Sequence, residues 1–150
     1  MADKNDIEKK LIRLLQHDSR QSYRDLAKQL GISHVSVSSK VNTLEDDGVI
    51  RGYTTIVDPD KLNHYLLCMM ISADAGADLS QIGNKIADLK EINVVMRVSG
   101  ACELLVLAVC DNRKSALKLL DTLSAIKGIE KVESHIVLEA IKLGGVKVRD

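Results

Sequence analysis

Apolar residues recur at helical spacing over the first fifty positions and fall in strand-like runs beyond residue 60. That change of rhythm divides the chain. Ile7, Leu11, Leu14 and Leu15 stand at i, i+4, i+7 and i+8, one stripe of an amphipathic helix. Asp6-Ile7-Glu8 opens it, with Asp3, Asn5 or Asp6 as candidate caps and acids near its positive N-terminus. His17-Asp18-Ser19 breaks the pattern. Ser22 can cap a second helix, with Asp25 three residues on in the manner of a capping box. Leu26, Ala27 and Leu30 then face inward, and Gly31 stands where a left-handed C-cap is wanted. Ser33 caps a third helix whose buried stripe is Val37, Val41 and Leu44 and which ends at Gly48.

The opposite arc of that third helix is predicted to present Val35, Ser36, Ser39, Lys40 and Thr43, with His34 at the N-terminal tip and Ser33 as its cap. Two short amphipathic runs joined by Leu30-Gly31-Ile32-Ser33 make the pattern of a helix-turn-helix. Short hydroxyl side chains let such a helix approach bases closely, and Lys40 can reach a phosphate or a guanine edge. The plainer alternative is the solvated face of an ordinary three-helix bundle, because the motif is short and degenerate. Val49–Asp58, rich in β-branched residues around Gly52, reads as a strand serving as a hinge or wing-like ribbon. Arg51 there is either a contact to the DNA backbone or a plain surface arginine. Asp58-Pro59-Asp60 holds the only proline and is the best boundary. The expected division is 1–52 for the reader, 53–63 for a hinge and 64–150 for a second module.

From Tyr65 the character changes. Tyr65–Ala73 is almost continuously apolar, as a strand covered on both faces would be. Leu79, Ile82, Ile86 and Leu89 give helical spacing, Val94–Val98 a strand, Gly100 a turn and Leu104–Cys110 another apolar strand. Ala116, Leu117, Leu120 and Leu123 mark a second helix, and Lys131–Leu143 a last long strand. The order β-α-β-β-α-β is the ferredoxin-like arrangement, so the predicted fold class is α+β: a three-helix helix-turn-helix domain followed by a ferredoxin-like βαββαβ domain. Both helices on one face leave the other face of an aliphatic sheet bare, which predicts a sheet-to-sheet or edge-to-edge dimer.

Composition narrows the partners. The 150 residues carry 21 basic and 21 acidic side chains, and their only aromatics are three tyrosines. Residues 1–52 hold 9 Lys/Arg against 8 Asp/Glu, and residues 53–150 hold 12 against 13. Bulk charge therefore does not drive binding to nucleic acid, and affinity must come from local placement and from oligomerisation. Cys68, Cys102 and Cys110 show no metal-type pairing, and free thiols are the default reading. With no signal peptide and no apolar run of spanning length, a reducing cytoplasm and no membrane partner are expected.

Taken in order, several segments resemble the Lrp/AsnC family, the feast/famine regulators of bacteria and archaea, over nearly the whole chain. They are Asp6-Ile7…Leu11-Ile12…Leu14-Leu15, Asp18-Ser19-Arg20, Asp25-Leu26-Ala27…Gly31-Ile32-Ser33 and Val41…Leu44-Glu45…Gly48-Val49-Ile50-Arg51-Gly52-Tyr53. Asp58-Pro59…Leu62, Val98-Ser99-Gly100…Leu104-Leu105-Val106 and Ile136-Val137-Leu138-Glu139 complete the series. The resemblance implies a C-terminal domain of the family's RAM type, a homodimer built through it, and further assembly to tetramers or octamers. It also implies palindromic operators in double-stranded DNA and, for many members, an amino-acid effector held between dimers. Octamers that bend DNA would explain how a net-neutral chain gains affinity by multivalency.

The family's effector loop runs Gly, variable, aromatic, Asp. Here it maps to Gly100, Ala101, Cys102 and Glu103, and the family's Thr/Ser pair in the last strand maps to Ser134 and His135. Gly100 fits, Glu103 keeps an acid one methylene longer, and the aromatics are gone. The resemblance thus leaves open an effector contact at Gly100 and Glu103, a different effector, or a plain β-turn with an exposed acid. Cys102 invites redox sensing only with a basic neighbour to lower its pKa, and none is adjacent.

Two other functions compete with this reading. Some chains resembling this family act as sirohaem decarboxylases, a chemistry that wants His and Arg converging on an anionic tetrapyrrole. Only His64, His135, Arg97 and Arg113 are available in the second half for it. No Ser/His/Asp set, metal site or phosphate loop is visible, so no catalytic residue, metal or cofactor is assigned. An architectural protein that coats DNA is disfavoured by the neutral charge.

Overall fold

The structure is a computed structural model that describes residues 4–148. The chain divides into two compact units, one comprising the residues up to Ile56 together with those from Ile141 onward, the other Val57–Ala140. No helix among the described residues is long and apolar enough to cross a membrane.

The first unit holds α1 (Lys4–His17), α2 (Tyr23–Leu30) and α3 (His34–Asp46). Their apolar stripes meet in a core of Leu11, Leu26, Ala27, Val37, Val41 and Leu44, with Ile12, Leu14, Leu15, Leu30, Ile32 and Ile50 packed around it. Of the proposed α1 caps, Asp3 and the side chain of Asn5 lie outside the described residues. Asp6 sits in the first turn, its carboxylate 2.8 Å from the Lys10 ammonium. The ends of α2 and the start of α3 are built by their caps. The Ser22 hydroxyl accepts from the Asp25 N–H and donates to the Asp25 carboxylate at 2.6 Å. Gly31 closes α2 in the left-handed conformation, φ 68°, which a side chain would penalise. Ser33 then opens α3 by accepting from the Ser36 N–H at 3.1 Å.

The second unit is a four-stranded antiparallel sheet of order β2-β3-β1-β4. Its strands are β1 (Tyr65–Ala73), β2 (Ile92–Arg97), β3 (Leu104–Cys110) and β4 (Ile129–Ile136). Helices α4 (Leu79–Ala87) and α5 (Arg113–Ser124) fall between β1 and β2 and between β3 and β4, which is the expected βαββαβ order. Alternate residues of the central strands, Leu67, Met69 and Ile71 with Leu104, Val106, Ala108 and Cys110, share one core with Ile82 and Ile86 of α4 and Ala116, Leu119 and Leu123 of α5. Ala116, Leu120 and Leu123 of α5 face the core as expected, but Leu119 is buried in place of Leu117, which is 54% exposed. Both fit helical spacing to Ala116 or Leu120, and only packing selects between them. Burial in this core pushes the Cys110 thiol pKa up.

Two expectations about strands are corrected. Val49–Asp58 forms no ladder in the single chain, because β propensity makes a strand only where another strand takes its N–H and C=O groups. The last strand does not run from Lys131 to Leu143 but covers Ile129–Ile136. Beyond it a separate hairpin, β5 (Lys142–Leu143) and β6 (Val146–Lys147), turns at Gly144-Gly145. That hairpin groups by contacts with the first unit. A Cβ on Gly144, which has φ 50°, would collide with the Ile56 side chain. Two consecutive glycines at positive φ supply the tight turn.

Candidate nucleic-acid interface

With Val37, Val41 and Leu44 buried, α3 turns outward a face made by His34, Val35, Ser38, Ser39, Asn42, Thr43 and Asp46, which line one shallow recess. His34, Val35, Ser39 and Thr43 are where the sequence placed them. Sequence reasoning missed Ser38 and Asn42, although they stand at i+3 and i+7 from Val35 on the same helical face. Ser36 is exposed, but its hydroxyl is 2.9 Å from the Ser33 hydroxyl and belongs to the cap. The Thr43 hydroxyl donates back to the Ser39 carbonyl at 2.9 Å.

Lys40 departs most from the expectation. Its ammonium lies 3.2 Å from Glu8 of α1, and its side chain is only 18% exposed. It stands beside Val37, Val41 and Leu44 rather than opposite them, so its long stem lies along the α1–α3 seam. The exposed face of α3 therefore bears no lysine or arginine. At the far end the Tyr53 hydroxyl donates to Glu45 at 2.8 Å. Removal from water, and then that bond and charge, raise the Tyr53 pKa to about 12. Arg51 is exposed, its guanidinium beside the Cα of Gly48.

The residues mapped to an effector are not gathered by one chain. Gly100 (φ 124°) and Ala101 are exposed in the β2–β3 loop, with Cys102 half-buried after them. The Glu103 carboxylate is turned inward and accepts from the Ala73 N–H at 3.1 Å, where the β1–β4 register shifts. Ser134 pairs with Met69 and His135 with Cys68, on opposite faces of the sheet. Strand spacings separate His135 from the Glu103 end by roughly 13 Å along β1 and two strand widths across it. A recess of about 870 Å³ in the first unit is lined by segments such as Leu15–Arg20, Val49–Ile56 and Gly144–Val146, and it contains none of these residues.

The groups a tetrapyrrole chemistry would need are equally scattered. His64 lies 3.6 Å from Asp111, at the end of the sheet where Tyr65 meets Cys110, with Arg113 close by in sequence. Arg97 pairs with Leu104 at the other end, and His135 approaches Glu133 at 3.7 Å on β4. Among the described residues no group of three or more His, Cys, Asp or Glu could hold a metal ion.

Comparison with known proteins agrees with this architecture part by part. Residues 4–51 match the family of winged helix-turn-helix DNA-binding domains, and residues 67–146 match the Lrp/AsnC ligand binding domain. An uncharacterized HTH-type transcriptional regulator of Pyrococcus abyssi is 31% identical over 92% of this chain and 94% of its own length. The crystal structure of an AsnC family transcriptional regulator from Agrobacterium tumefaciens superposes with a TM-score of 0.76. It is 25% identical and covers 98% of this chain and 95% of that one. A feast or famine regulatory protein from M. tuberculosis, complexed with L-methionine, shares the fold at TM-score 0.81 and 23% identity, over 94% and 96% of the two chains. With two matched domains in the same order and a relative similar from end to end, this chain belongs to the Lrp/AsnC family of DNA-binding transcriptional regulators.

Proposed function

We propose that this regulator is sequence-specific, docks α3 in the major groove and is presented to DNA in pairs by the sheet of its second unit. The observation that carries the reading is the outward face of α3: capped by Ser33, polar and short-chained, it has the shape a groove admits. Arg51, exposed just after α3, serves as a backbone contact, and His34 stands at the helix tip.

Pairing follows from the uncovered side of the sheet. Leu66, Cys68 and Met70 of β1 stand opposite Val109, Leu107 and Leu105 of β3, and Val94 and Met96 of β2 extend the same face. None of these residues belongs to the helix-covered core. An apolar sheet face of this kind is stable in water only when covered, and a second copy of the chain provides the same apolar surface. Dimers then join into tetramers or octamers, and an amino acid or similar small molecule binds between dimers near Gly100–Glu103. In that arrangement Ser134 and His135 come from a neighbouring copy, since one chain holds them apart from the loop.

Selection of bound sequences from random duplex DNA, with and without a panel of amino acids, tests both parts. The expected result is one enriched palindromic motif, bound ~10³-fold or more tightly than random duplex, with a shift when the effector is present. Binding with no sequence choice would overturn the regulatory specificity and leave a coating protein.

A further inference from the structure

We propose that Asn42 and Val35 set the base preference of α3, Asn42 by a two-point pair with an adenine and Val35 by packing on a thymine methyl, so that each half-site is chosen at A·T pairs. The inference rests on α3 being the recognition helix. It uses what the structure removes from that helix as much as what it leaves.

Guanine is read chiefly by Arg or Lys reaching its O6 and N7. The only such residue in α3 is Lys40, and it is held on Glu8 at 3.2 Å, away from the exposed face. The hydroxyls of Ser36 and Thr43 are engaged with Ser33 and the Ser39 carbonyl. Asn42 is different. It is exposed in the middle of the recess, and its amide makes no hydrogen bond among the described residues. An amide offers one donor and one acceptor side by side, the complement of adenine N6–H and N7. Val35 is 64% exposed on the same face, an apolar group that gains nothing from water but fits a thymine methyl. The two are seven residues apart, about 10.5 Å along the helix axis, which spans roughly three base-pair steps in a groove that the helix follows. Asp46, further along the stripe and followed by Asp47, adds no cation to that face.

The test uses the full chain and chemically altered duplexes. Wild type should enrich a duplex with adenine at one position of each half-site. Replacing that adenine with 7-deazaadenine, which lacks only the N7 acceptor, should weaken binding by about five-fold or more. Asn42→Ala should bind the two duplexes equally. Replacing the thymine about three steps away with uracil should cost wild type about four-fold, the worth of one methyl group, and should leave Val35→Ala unaffected. Guanine enriched at the Asn42 position, or an Asn42→Ala chain that still discriminates against 7-deazaadenine, would overturn the assignment while leaving α3 as the reader. Failure of wild type to enrich any duplex would overturn the recognition-helix reading and this inference with it.

Discussion

The Lys40 ammonium lies 3.2 Å from the Glu8 carboxylate, and it ties the recognition candidate α3 to α1 across 32 residues of chain. The pair is neither exposed nor deeply buried, with side chains 18% and 30% exposed. A lysine that reads as a phosphate contact in the sequence is paired with α1 in the single chain. Lys40→Ala should lower the stability of the first unit by about 1 kcal/mol, between the values for exposed and buried pairs. The slope of log affinity against log salt should not change. A slope reduced by about one would instead put Lys40 on a phosphate.

The turn between α2 and α3 depends on one backbone conformation. Gly31 has φ 68° and nothing within 4 Å of where a Cβ would stand, so any cost of substitution is conformational rather than steric. Gly31→Ala should destabilise the first unit by about 1–2 kcal/mol in urea unfolding, and Gly31→Asn by less, because Asn tolerates the left-handed region. Equal losses for the two would show that packing controls the turn.

Leu107 lies at the centre of the bare sheet face, opposite Cys68 on β1 and Val94 on β2. A charge there should prevent that face from being covered. Leu107→Glu is expected to give a monomer by light scattering and to weaken operator binding by about 100-fold or more through lost avidity. A variant that remains a dimer would move the interface elsewhere.

Tyr53 supplies a pH signature. Its folded pKa is raised to about 12, above the ordinary value of 10, and the protonated hydroxyl is the form that donates to Glu45. A raised pKa means that its contribution is fully present below about pH 10 and is lost as pH climbs through about 12. Tyr53→Phe should therefore be less stable than wild type near neutral pH, and the difference should vanish in strong alkali. Tyrosinate absorbance should lose its component near pH 12 in the same variant. A wild-type titration in which every tyrosine has its midpoint near pH 10 would contradict the bond.

The sequence by itself determined most of what depends on local rhythm and local chemistry. Among the described residues, apolar spacing located α1–α5 and β1–β4, to the residue for Tyr65–Ala73 and Leu104–Cys110, but ran β4 on to Leu143. Ser22, Gly31 and Ser33 were legible as caps because capping involves neighbours within a few residues. The exposed arc of α3 was legible in part, since the stripe of Val37, Val41 and Leu44 dictates the opposite side. Tertiary structure decided whatever depends on a distant partner. Lys40 could point to solvent or to Glu8, and only the packing of α1 on α3 chose the latter. Leu117 and Leu119 compete for the same sheet at helical spacing, and the register of α5 chose Leu119. The 49–58 segment had strand composition but no partner within the chain. Glu103 looked like a free acid until the shifted end of β1 offered it the Ala73 N–H. The hairpin after Ile141 packs with the first unit, where Gly144 comes close to Ile56. Periodicity records which side of an element is apolar, but it carries no information about which remote group that side, or its charged edge, will meet.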